Sequence, residues 1–235
     1  MKVIDKEQER IDAENTPAGK KKKWLELLAA LVFFLVCAGL YRVMPNIEIG
    51  AGKPYAIVMD GLEIIPGKTT VQELADAGYE LSDSSARIMA SEKDENGNTV
   101  FLYRDVYDLS SQAESRTLYS SLVLVKGEVQ AADISIINNG ASAIPLSQCL
   151  VSEVTIRNSF VDADKVTVEG TAFPQLTEEK ITEAFGKKER MFNATTSIWE
   201  RGQYYFSLDI AEDGTVKKLT TQRYYRTNAL EKYQK

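Results

Sequence analysis

Histidine is missing from this 235-residue chain. Its absence removes the commonest general base and the commonest metal-binding side chain together. A Ser-His-Asp or Cys-His catalytic arrangement is therefore excluded. Cysteine is scarce, with only Cys37 and Cys149. Cys37 sits in an apolar run and Cys149 far downstream, so no internal disulfide is expected. Cys149 reads as a small buried hydrophobe, with an intermolecular disulfide as the alternative. The chain also has no Ser-x-x-Lys, G-x-S-x-G, phosphate-binding glycine loop, H-E-x-x-H or C-x-x-C, which removes the usual signatures of acyl transfer, nucleotide binding and zinc chemistry. Residues 94–98 (DENGN) lack the oxygen spacing of a calcium loop and read as a hairpin turn. No cofactor and no metal is expected.

Positive charge is sparse beyond the N-terminus. Residues 43–235 carry 20 basic and 28 acidic side chains, against seven and five in residues 1–23. Phosphate neutralisation needs clustered Lys and Arg, so nucleic acid is excluded as a partner.

One long hydrophobic run is present. From Leu27 to Tyr41 (LLAALVFFLVCAGLY) every residue is apolar, small or aromatic. With its flanks the run predicts a transmembrane helix over 24–44, about the 20 residues a bilayer core requires. Lys20, Lys21, Lys22 and Lys23 precede it directly and are expected to contact lipid headgroups. The same lysines set the orientation, with residues 1–23 a flexible cytoplasmic tail and the C-terminal domain outside the cell. A cleaved signal peptide is the main competitor, because Val36-Cys37-Ala38 loosely resembles a cleavage site. However, the positive cluster begins only at residue 20. A lipid anchor on Cys37 and a buried soluble helix fit less well. The expected location is thus the cell membrane, in a single pass.

Beyond a Gly/Pro linker at 45–54, strand signals dominate. Residues 55–59 and 62–65 flank Asp60-Gly61, a tight-turn dipeptide. Thr70 and Glu73 match the capping-box spacing, with Gly78 placed to end a short helix. Strands are expected at 86–90, 99–105, 118–125 and 129–137. The second half repeats the plan: a strand at 166–169, a Thr177-capped helix to Phe185, then strands at 195–200, 204–210 and 216–224. Leu74 and Ile181 hold matching helix positions, as do Ala77 and Ala184. The expected fold is α+β: an N-terminal transmembrane helix, then two tandem units of a short helix packed on an antiparallel meander sheet. These units span 55–160 and 161–227, with a tail at 228–235.

Residues 144–156 (IPLSQCLVSEVTI), a following strand, a Thr-led helix and Phe185-Gly186-Lys187 carry a resemblance. Together with the Tyr-rich segment 197–206 (SIWERGQYYF), they resemble uncharacterised membrane-anchored surface proteins of Gram-positive bacteria. The helix-plus-meander unit looks like the tandem repeats of β-lactamase-inhibitor-type domains. The pattern departs at 171–175, where Thr-Ala-Phe-Pro-Gln replaces a Gly-rich approach to the helix. The resemblance implies a non-catalytic binding module of the cell envelope, an implication of fold alone.

The candidate binding residues are aromatic and basic. Trp199, Arg201 and Tyr205 lie on one expected hairpin, and Arg223 and Tyr225 at the end of the last strand. Alternation sends half of such a set to each face of a sheet, and Trp, Tyr and Arg dominate binding hot spots. The expected partners are membrane lipid and an envelope protein or wall glycan. Two rival functions are a cell-wall hydrolase working through acidic residues and a receptor-like sensor. The 23-residue tail carries no evident signalling motif.

Overall fold

Two capped helices and two tight hairpins organise the molecule, each read directly from its residues. The computed structural model describes residues 24, 28–36, 52–93, 99–160, 162–191, 195–225 and 232–234. The chain divides into two units, Met1–Ile47 and Glu48–Lys235.

In the first unit, residues 28–36 are helical and Leu31, Phe33 and Phe34 are exposed. Among the described residues no helix is long and apolar enough to cross a membrane. This overturns the transmembrane helix expected over 24–44. The single-pass anchor and the location derived from it fall with that helix. Lys20, Lys21, Lys22 and Lys23 lie outside the described residues.

The fold class also changes. The second unit is mostly antiparallel β-sheet, and strands from both halves join edge to edge in shared sheets. Its first strands, β1 (Ile57–Met59) and β2 (Leu62–Ile64), form a hairpin whose turn residues Asp60 and Gly61 have φ of 47° and 86°. Two left-handed residues in a two-residue loop match the right-handed twist of the strands. The pattern recurs in β11 (Val166–Val168) and β12 (Thr171–Ala172), where Glu169 and Gly170 turn with φ of 47° and 78°. The two hairpins pair with one another. β1 runs antiparallel to β11 with Val58 opposite Thr167 and Met59 opposite Val166. Val58 and Thr167 each lie two residues before a turn residue Asp60 or Glu169, so a local two-fold axis passes between them.

Each hairpin leads to a Thr-capped helix. In α1 (Val71–Asp76), Thr70 and Glu73 form the full capping box, Thr70 N–H reaching Glu73 Oε2 at 2.6 Å. In α2 (Glu178–Phe185), the Thr177 hydroxyl accepts from the Lys180 N–H. Such caps stabilise by about 1 kcal/mol each. α1 buries Val71 and Leu74, and α2 buries Ile181 and Phe185.

Further strands are β3 (Glu80–Asp83), β4 (Arg87–Lys93), β5 (Thr99–Tyr103), β6 (Gln112–Ala113), β9 (Ile144–Pro145), β13 (Arg190–Met191) and β17 (Lys232–Gln234), and the main sheet holds eleven strands among the described residues. Its spine comprises β14 (Thr196–Arg201), β15 (Tyr204–Ile210), β16 (Val216–Arg223), β10 (Leu150–Arg157) and β8 (Val129–Asn138), with β7 (Thr117–Lys126) on the far side of β8. β10 sits centrally, and its Val151, Val154 and Ile156 are fully buried. An aromatic cluster fills the core beside α2. The Phe185 ring lies 4.7 Å from Tyr55 and 5.1 Å from Phe206, and Trp199 lies 5.9 Å from Phe206. Tilted and edge-on pairs of this kind add about 0.5–1.5 kcal/mol each beyond their buried area.

Cys149 is wholly inside this core, and burial pushes its thiol up to about 12. Only the thiolate reacts at a useful rate. In a Cys37→Ser background, the native protein should therefore resist iodoacetamide at pH 8 and take up one equivalent only in denaturant. Stoichiometric labelling of the native form would contradict the buried placement.

Candidate functional site

Two β-bulges open a pocket in the middle of the sheet. β8 pairs with β7 on one side and with β10 on the other. On the first side, Tyr119 faces Ile136 and Leu122 faces Ile134, so Ser120 and Ser121 together oppose Ser135. On the second, Val151 faces Ile136 and Glu153 faces Ser135, leaving Ser152 as an extra residue. Both neighbours of Ser135 therefore carry an insertion at the same level. Ser121 adopts φ of 62° to accommodate its own, a conformation that is uncommon for non-glycine residues. Bulges bend strands and re-aim side chains, and they recur beside functional sites.

The resulting pocket has a volume of 390 Å³. Ser120, Ser121, Ser135 and Ser152 contribute hydroxyl groups, and Glu153 contributes a carboxyl. On the next strand, Gln222 faces Glu153 directly, and Arg223, Tyr224 and Tyr225 carry the wall onward. The Ser152 hydroxyl is buried, with the residue 2% exposed, and has no hydrogen-bond partner among the described residues. A buried orphan hydroxyl costs roughly 1–3 kcal/mol, so its presence beside an open volume asks for an explanation.

Glu153 is the pocket's titrating group. Burial is the main cause that pushes its carboxyl above the ordinary range; Asp133 adds to the shift and Lys218 opposes it. Asp133 is itself tied to Arg157, whose Nε donates to it at 3.0 Å. A raised folded-state value means the folded protein holds this proton more tightly than the unfolded chain does. The stability Glu153 contributes is then full below its ordinary value of 4.5 and is lost as pH rises through the folded value. Asp60, Asp83, Asp108, Glu178 and Asp213 are lowered by hydrogen bonds and act with the opposite sign. The contribution of Glu153 is thus isolated by comparison with Glu153→Gln. The variant should match wild type in urea midpoint near pH 4 and exceed it at pH 7. A difference that stays constant with pH would refute this account.

Arg223 is held rather than free to swing. It is only 6% exposed. Its guanidinium lies 5.7 Å from the Tyr204 ring centre and 5.1 Å from that of Tyr225. Nη1 donates to the Gly67 carbonyl, and Nε and Nη2 to Gln203 Oε1, each at 3.4 Å. Planar stacking and a fork of donors are what distinguish Arg from Lys at such a position.

The five binding candidates read from the sequence therefore separate. Arg223 and Tyr225 line the pocket. Tyr205 stands beside it: it pairs with Gln222 in the ladder, and its ring meets Tyr224 edge-on at 5.7 Å. Trp199 is 1% exposed, and its indole N–H donates to the Gly186 carbonyl at 3.1 Å. Arg201 lies over the Tyr55 and Phe185 rings and donates to the Phe185 carbonyl, so it closes the aromatic core. Sequence reasoning missed the serines, Glu153 and Gln222. The available signal was two adjacent polar residues, Ser120-Ser121 and Ser152-Glu153, each breaking the alternation of an otherwise apolar strand.

Among the described residues no group of three or more Cys, Asp or Glu side chains is placed to hold a metal ion. Comparison with family models, curated proteins and solved structures returned no match.

Proposed function

We propose that this protein is a non-catalytic binding module whose ligand site is the pocket around Ser135, between β7, β8, β10 and β16. The observation that carries the reading is the double bulge. It interrupts the sheet on both sides of one residue and places Ser152, whose hydroxyl is buried, and the half-buried Glu153 in the wall of one pocket. At 390 Å³ the pocket lies within the roughly 300–1,000 Å³ typical of small-ligand sites. Among its lining side chains Glu153 is the one carboxyl. Glycoside hydrolysis generally works through a pair of carboxyls flanking the bond, so the lining supports binding better than the hydrolase alternative. The partner classes considered remain an envelope protein and a wall glycan.

The test is capture by the immobilised full chain from a cell extract, compared with Gln222→Ala and Tyr224→Ala. A component retained by wild type and lost by both variants, at unchanged Tm, is the expected result. Equal retention by all three would remove the pocket from binding. Release of cleaved product from the captured component by wild type would overturn the non-catalytic assignment.

A further inference from the structure

We infer that the pocket around Ser135 receives a neutral sugar ring, held by hydroxyl–hydroxyl hydrogen bonds below and an aromatic face beside it. This rests on the binding-module reading and names its ligand class. The polar groups of the pocket are mostly amphoteric. Ser120, Ser121, Ser135 and Ser152 each donate and accept, and the Gln222 amide does both at its two ends. A ligand that only donates or only accepts would leave half of that capacity unused. A ring bearing adjacent hydroxyls uses both, and a turn of the Ser152 side chain toward the pocket would satisfy its orphaned hydroxyl.

Charge argues in the same direction. The pocket contains one acid, Glu153, and one base, Arg223. A cationic ligand would enter beside a guanidinium, and an anionic one beside a carboxylate. A neutral ligand meets neither repulsion. The Glu153 carboxyl has no side-chain hydrogen bond or ion pair among the described residues, only the longer-range influence of Asp133 and Lys218, and a hydroxyl pair can donate to its two oxygens. Burial that disfavours the charged form also suits a partner without a full charge.

The third feature is aromatic. Tyr224 is 47% exposed and is braced edge-on by Tyr205. A braced ring offers a flat apolar surface at little cost in side-chain entropy, suited to the C–H face of a sugar. The volume admits a short saccharide segment rather than a folded protein surface.

The experiment is NMR titration of the full chain with three neutral trisaccharides: N-acetylglucosamine trimer, maltotriose and cellotriose. Gly-Lys-Gly and Gly-Glu-Gly serve as charged peptide probes. The expected result is saturable shifts of the Ser152, Glu153 and Gln222 amides with at least one trisaccharide. Ser152→Ala and Tyr224→Ala should each weaken that binding about three- to tenfold, the effect of one hydrogen bond or one stacked face. Tyr224→Ala must keep the wild-type Tm, Ser152→Ala must not fall below it, and Gln72→Ala, on α1, should bind as wild type does. If a peptide moves those amides and no sugar does, the ligand class is wrong while the binding module stands. If no probe moves them but capture still depends on Gln222 and Tyr224, the sugar assignment alone fails. If capture also fails to depend on them, both readings fall.

Discussion

Gly67→Ala should lower the stability of the folded unit by about 3 kcal/mol, measured as a urea midpoint shift at constant slope. Gly67 has φ of +81°, and a Cβ there would stand 2.7 Å from Arg223 Nη1 and collide with Arg223 Cδ. Any retreat of the arginine gives up its place between the Tyr204 and Tyr225 rings, where it is buried. Gly67 is also fixed from behind, its N–H donating to the Val151 carbonyl at 2.6 Å, next to the β10 bulge. The substitution therefore either expels Arg223 or pulls that loop away from the bulge, and both distort the pocket wall. Gly214→Ala is the control. Gly214 has φ of +85°, but its Cβ would meet nothing within 4 Å, so it reports left-handed strain alone, about 1 kcal/mol. Equal losses in the two variants would show that the collision with Arg223 has no cost.

Trp199→Ala should cost about 3–5 kcal/mol, the range for removing a large aromatic side chain from a core. The indole packs against Phe206 and bonds the Gly186 carbonyl, directly after α2. Its removal leaves a cavity and an unpaired carbonyl at the helix end. Trp199→Phe keeps much of the volume but not the donor, and should lose about half as much. Any fall in ligand capture by Trp199→Ala should follow the unfolded fraction. Tyr205→Ala, half-buried beside the pocket, should instead weaken capture with a much smaller change in stability. A Trp199→Ala protein that is as stable as wild type but cannot bind would place the indole at the ligand instead.

Local structure was legible because its determinants are local. Asp60-Gly61 specified a tight turn, and Thr70 with Glu73 specified a helix start through their own hydrogen bonds. Leu74 and Ile181 showed which helix faces are buried. Pairing between distant strands has no such signature. Nothing near Val58 announces that it will face Thr167, so two similar segments suggested separate units rather than hairpins paired about an axis. The expected membrane helix failed for a related reason. Apolar composition over 27–41 satisfies a hydropathy rule, yet among the described residues no helix is long and apolar enough to cross a membrane. The pocket was hidden because its makers are small polar residues of low individual information. Two bulges at one level of β8 become visible only once the register of three strands is known. The aromatic candidates were conspicuous, and Trp199 and Arg201 were conspicuous because the core needs them.

The pairing of β1 with β11 also bears on how the protein is made. The carbonyl of Tyr55 accepts a hydrogen bond from the Thr221 hydroxyl, 166 residues later in the chain. At a synthesis rate of about 5–20 residues per second, that partner emerges roughly 8 to 30 s after Tyr55 does. For about the first two-thirds of that interval Ile57 and Met59, which end fully buried, lack β11 as well as β16, and until its end they lack β16. Closure around Tyr55 consequently waits for β16, and the nascent β1–β2 hairpin must be kept from other strands until then.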